Sequence, residues 1–126
     1  MIHIAIIDQN RIFRESLRVI LEQVEGFRVI HDSSDGSSLR NREDLGVQLL
    51  ILDSRLPAEN YRDLLQRHDP EDVQFKILRL AMFREELDSG DGEVEVMLKS
   101  SGKQELVNRI KNMTGLKPSE QIIQSL

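Results

Sequence analysis

Val47-Gln48-Leu49-Leu50-Ile51-Leu52-Asp53 is the stretch from which the fold is read. Residues 49–52 are apolar without alternation, and a short apolar run of this kind suits a strand covered on both faces, as in a parallel sheet. The same pattern stands upstream in Ile4-Ala5-Ile6-Ile7, which also runs into an aspartate, Asp8. Between the two runs, Phe13, Leu17, Ile20, Leu21 and Val24 repeat at the spacing of one helix face. Gly26 sits where such a helix would stop, and Phe27 to Ile30 read as a second strand. The stretch from Asp32 to Gly46, with four serines and two glycines, is expected to be loop plus a weak helix.

Downstream, Pro57 opens a helix carrying Leu64 and Leu65, and Pro70 closes it. Val73 to Ala81 form a fourth strand, interrupted by Arg79, and Val94 to Leu98 a fifth. In the fifth, Val94, Val96 and Leu98 alternate with Glu93, Glu95 and Met97, so the glutamate face is expected to be wet. Any helix within Phe83 to Ser89 must be short, and Glu85-Glu86-Leu87-Asp88 reads as a solvated face. Ser101 with Gln104 is a capping-box pattern that opens a helix with Leu106, Val107, Ile110 and Met113 inward. Pro118 and Glu120 suit a last short helix through Ile122 and Ile123. Strands alternating with helices give an α/β class. Right-handed crossovers then leave few topologies, among them a flavodoxin-like, doubly wound, five-stranded parallel sheet of order 2-1-3-4-5 with helices on both faces.

Composition narrows the function. A chain of 126 residues, 39% hydrophobic and 31% charged, fits one folded domain. Seventeen basic against 22 acidic residues leave a formal charge of −5, which argues against direct nucleic-acid binding. The absence of cysteine removes disulfides, zinc thiolate sites and thiol catalysis, and suits a reducing, cytoplasmic setting. No apolar run reaches the roughly 20 residues of a membrane span. His3, His31 and His68 show no ligand spacing.

In an open parallel sheet, ligands gather beyond the carboxyl ends of the strands, at the switch point between strands 1 and 3. The residues at those ends are Asp8, Asp53, Ala81 and Lys99. Two carboxylates held close repel each other unless a cation lies between them, so a hard divalent metal or a fixed basic side chain is expected there.

With these residues in view, the chain resembles the receiver domain of two-component response regulators (CheY-like) as far as about Thr114. The resemblance rests on Ile6-Ile7-Asp8-Gln9, on Leu50-Ile51-Leu52-Asp53 with Leu56-Pro57 after it, and on Met97-Leu98-Lys99. Asp8 to Leu17 looks like regulators whose output is a helix-turn-helix. The resemblance implies that Asp53 accepts a phosphoryl group from a histidine kinase and that Lys99 pairs with the phosphoryl oxygens. It implies Mg²⁺ held by Asp8, Asp53 and the backbone carbonyl of Arg55. Its switch positions fall on Ala81 and Val96. Residues 1–114 are then the receiver, and 115–126 a helical tail or the start of a linker to an output domain.

The departures are specific. Gln9 stands where the family carries a second acid, so an amide oxygen could ligate Mg²⁺ but adds no charge. Ala81 lacks the hydroxyl that in the family couples the phosphoryl group to the helix 4 face. Ser100 replaces a common proline after Lys99, and Ala58-Glu59-Asn60-Tyr61 lacks the usual glycine. Arg55, two residues from Asp53, is expected to supply positive charge beside Lys99 in partial replacement of Mg²⁺. The expectation is therefore an atypical, non-enzymatic receiver that works through protein contacts, with weak or uncoupled phosphorylation at Asp53. Homodimer formation through helix 1 or helix 5 would replace the altered helix 4 and strand 5 face. One alternative is an ordinary phosphorylation-activated receiver controlling a DNA-binding output domain. Another is an aspartate-based phosphatase with Asp8 as nucleophile, against which Asn10 stands where a second acid is needed.

Overall fold

The computed structural model describes residues 1–35, 46–57, 76–88 and 95–115. Five strands, β1 (Ile2–Ile7), β2 (Phe27–Ser33), β3 (Leu49–Asp53), β4 (Lys76–Ala81) and β5 (Glu95–Leu98), form one sheet in the order β2-β1-β3-β4-β5. Every pairing is parallel. The expected flavodoxin-like order is therefore the observed one. Helix α1 (Arg11–Glu22) follows β1, and helix α2 (Lys103–Thr114) follows β5 after a 3-10 turn over Lys99–Ser101. A second 3-10 turn, Arg84–Asp88, follows β4. The helices expected after Pro57 and after Pro118, and most of the loop before Gly46, lie outside the described residues.

The unalternating apolar runs have the reason anticipated for them. Ile2, Ile4, Ile6, Leu49, Ile51, Leu78, Leu80 and Met97 are buried with Leu17 and Leu21 of α1 and Leu106, Val107 and Ile110 of α2. On the other face, Ala5, Ile7, Leu50 and Leu52 pack with Leu56, and with Val47 and Ile77 at the margin. Each fully buried Leu or Ile stabilises the fold by roughly 1.5–3 kcal/mol. The two central strands are thus fixed from both sides, and the loops at their carboxyl ends are held on a rigid frame.

Four local expectations are corrected. Strand β2 continues through Asp32 and Ser33, where loop was expected, because Asp8 N–H donates to the Ser33 carbonyl and Asp32 is held by two arginines of α1. In β5 the buried residue is Met97, on the face shared with Glu95, while Val96 and Leu98 are only half-buried. Met97 faces the layer of α1 and α2, and Glu95 stays at the strand start, paired with Arg109 of α2 at 2.9 Å. The capping box at Ser101 does not form. Ser101 is used up in the 3-10 turn, and Gly102 (φ 91°, ψ 160°) becomes the N-cap with no side-chain bond. Gln104, which would have turned back, instead donates forward to Asn108 Oδ1 at 3.2 Å. Glu86, expected in a solvated face, is half-buried and accepts a hydrogen bond from the Ser54 hydroxyl.

Candidate functional site

The register of the sheet places the site. Ile7 pairs with Leu52, Asp53 with Leu80, and Ala81 with Leu98, so Asp8, Asp53, Ala81 and Lys99 all fall at one edge. Asp8 and Asp53 are 2% and 6% exposed, an unusual burial for carboxylates. Lys99 Nζ lies 2.8 Å from Asp8 Oδ2 and 3.7 Å from Asp53 Oδ2, and its side chain is 8% exposed. These contacts are ion pairs rather than well-aligned hydrogen bonds, since Nζ makes no hydrogen bond among the described residues.

The remaining carboxylate oxygens are held by backbone. Asp8 Oδ1 accepts from Asn10 N–H at 2.8 Å, and Asp53 Oδ1 from Arg55 N–H at 3.1 Å. These turns point one oxygen of each group towards Lys99. The N-cap of α1 is Asn10, whose Oδ1 accepts from Phe13 N–H at 3.1 Å, so Asp8 is left to the pocket.

Three further residues support the site, and sequence reading assigned none of them to it. The Phe13 ring lies under Lys99, with Nζ 4.4 Å from its centroid. Arg14 Nη1 donates to the Asp8 carbonyl at 2.6 Å while its Nε pairs with Asp32 at 3.2 Å, tying the ends of β1 and β2 to α1. Arg79 Nη2 donates to the Ser54 carbonyl at 2.8 Å. Phe13 and Arg14 were hidden inside an ordinary helix pattern. Arg79 carried the one visible signal, a cation inside an apolar strand.

The other expected site residues are placed as follows. Gln9 is exposed beside Asp8. Ala81 is wholly buried at the end of β4, and Val96, half-buried, pairs with Arg79 in the ladder. Arg55 departs from expectation: its guanidinium turns to the Met82 sulfur at 3.9 Å, and among the described residues the cation beside Asp53 is Lys99. Its own N–H is already bound to Asp53 Oδ1, which anchors the backbone and leaves the side chain to follow the exposed edge.

Solved structures share this arrangement of strands and helices. The signal receiver domain of the response regulator NarL from Mycobacterium tuberculosis superposes with a TM-score of 0.72 at 16% identity, covering 92% of this chain and 98% of that one. RcsB from Salmonella enterica serovar Typhimurium, bound to promoter rprA with the phosphomimetic BeF3−, gives 0.73 at 20% identity over 99% and 67%. A DNA-binding response regulator of the LuxR family from Staphylococcus aureus gives 0.71 at 18% identity over 90% and 99%.

This chain has the response-regulator receiver fold.

In sequence, the receiver fold here is similar to the transcriptional regulatory protein DegU of Brevibacillus brevis, 32% identical over 84 residues. That match takes in 63% of this chain but only about a third (35%) of the relative's length. No family model matches the chain. No helix among the described residues is long and apolar enough to cross a membrane.

Proposed function

We propose that the chain is the receiver module of a two-component response regulator, of atypical design, with Asp53 as phosphoacceptor. The observation that carries this reading is the meeting of Asp8, Asp53 and Lys99 within ion-pair distance at the switch-point edge of the sheet. In the transfer, an Asp53 Oδ attacks the phosphorus of a kinase phosphohistidine, and an O–P bond forms as the N–P bond breaks. The electron pair returns to the imidazole nitrogen, which then takes up a proton. Catalysis of such a step is mainly positioning and charge stabilisation. Lys99 supplies the fixed positive charge for the transferred oxygens, and Phe13 and Arg14 hold Lys99 and the Asp8 turn in place.

The donor set fits a hard divalent ion. The Asp8 and Asp53 carboxylates, the Arg55 carbonyl and the Gln9 amide oxygen are all oxygen donors of the type Mg²⁺ accepts. Gln9 contributes no charge, so the affinity is weaker than two adjacent acids would give. When bound, Mg²⁺ would offset negative charge on the phosphoryl oxygens. Nothing in this chemistry turns over a substrate, and the module acts through contacts with a histidine kinase and a downstream protein or a second copy. Any DNA contact is left to an output domain, as with the DNA-bound RcsB neighbour. Ala81 and Val96 offer no hydroxyl, so a signal cannot leave Asp53 by the route the family uses.

Incubation with acetyl phosphate and Mg²⁺, read by intact mass, tests this. One phosphoryl adduct is expected, absent in Asp53→Asn and much reduced in Lys99→Ala. An unmodified wild-type chain, or an adduct that survives Asp53→Asn, overturns it. An adduct that drives dimer formation with Mg²⁺ affinity of an ordinary receiver would favour the phosphorylation-activated alternative.

A further inference from the structure

Three backbone and side-chain contacts converge on Ser54, the residue covalently next to Asp53. Its N–H donates to the Leu80 carbonyl at 2.9 Å, its carbonyl accepts from Arg79 Nη2 at 2.8 Å, and its hydroxyl donates to Glu86 Oε2. Arg79 is the cation that interrupts β4; its Nε is buried and makes no hydrogen bond among the described residues. Glu86 belongs to the 3-10 turn Arg84–Asp88, which follows the exposed Met82 and Phe83 (40% and 55% exposed).

These groups have opposite charge and one shared anchor. A phosphoryl group on Asp53 adds negative charge one residue from Ser54. That charge repels the Glu86 carboxylate and so weakens the Ser54–Glu86 contact, while it attracts the Arg79 guanidinium. Partly buried pairs of this kind are screened little by salt.

We propose that Ser54, Glu86 and Arg79 form the relay that carries the charge state of Asp53 to the turn at 84–88, replacing the hydroxyl route that Ala81 lacks. The inference rests on the phosphoacceptor reading of Asp53. It assigns a two-position element, the turn docked through Glu86 or released from Ser54, whose balance is set by charge at the neighbouring residue. Met82 and Phe83, between β4 and the turn, are carried with it.

Amide exchange of residues 84–88, followed by NMR on the full chain, tests the relay. Beryllofluoride with Mg²⁺ serves as the probe, and its binding is read independently from its fluorine signals. Loading is expected to speed exchange at 84–88 by about fivefold or more in the wild type. Glu86→Gln, which keeps the shape but not the charge, is expected to abolish the response. Loaded wild type with unchanged exchange, or Glu86→Gln responding as strongly as wild type, overturns the relay. A chain that does not load overturns the phosphoacceptor reading instead. The relay is then judged by Asp53→Asn without the probe: slower exchange at 84–88 than in wild type supports it, and equal exchange overturns it.

Discussion

Lys99 stands with its ammonium between a carboxylate and an aromatic ring, 2.8 Å from Asp8 Oδ2 and 4.4 Å from the Phe13 ring centroid. The ring face attracts the cation without accepting its proton, so it fixes Nζ while leaving it able to meet an incoming anion. Phe13→Leu keeps most of the apolar volume and removes that attraction. It is expected to cost about 1–2 kcal/mol in urea unfolding and to slow phosphorylation of Asp53 in the acetyl phosphate assay, with equal amounts of folded protein compared.

Removal of the ammonium should be far more costly than removal of the ring. Lys99→Met leaves two buried carboxylates facing each other, and breaking a buried pair by deleting one partner costs about 3–5 kcal/mol. Because Asp8 is one source of that cost, Asp8→Asn added to Lys99→Met is expected to recover a large part of it. A double-mutant cycle in urea checks this, and additive losses would show that the two groups do not interact.

Arg14 joins three elements through two contacts, the Asp8 carbonyl at 2.6 Å and the Asp32 carboxylate at 3.2 Å. Arg14→Ala is expected to lose about 1.5–3 kcal/mol, the range for hydrogen bonds to a charged group. Arg14→Lys should not restore it, since one ammonium cannot span two divergent acceptors as a guanidinium does. Thermal or urea unfolding of the two variants side by side gives the answer.

The start of α2 offers a contrast between neighbours. Gly102 has φ 91° and ψ 160°, a region open essentially to glycine, although nothing lies within 4 Å of where a Cβ would be. Gly102→Ala is therefore expected to destabilise by about 1–3 kcal/mol through backbone strain alone. Ser101→Ala, which removes no capping bond, is expected to lie within about 0.5 kcal/mol of wild type. Equal losses in the two variants would mean that Ser101 does cap the helix.

What could be read from the chain followed from burial. Residues 4–7 and 49–52 are apolar on both sides because both sides are covered. The parallel sheet and a short list of strand orders were therefore accessible from pattern and crossover handedness, and the resemblance carried by Asp8, Asp53 and Lys99 supported one of them. What could not be read depended on where single side chains turn. Arg55 is two residues from Asp53, yet its guanidinium reaches Met82, since sequence distance does not fix a rotamer on an exposed loop. The alternation in β5 suggested the wrong buried face, because an edge strand with mixed residues on both sides is ordered by the helix packed against it. The Ser54–Glu86 contact joins positions 32 apart and leaves no periodic trace.

The lysine of the pocket comes from just beyond β5, at the outer edge of the sheet and last of the five strands in chain order. During synthesis, the two acidic side chains emerge long before the residue that neutralises them. The pocket is therefore without its counter-charge until the outermost strand has docked and brought Lys99 to the two carboxylates.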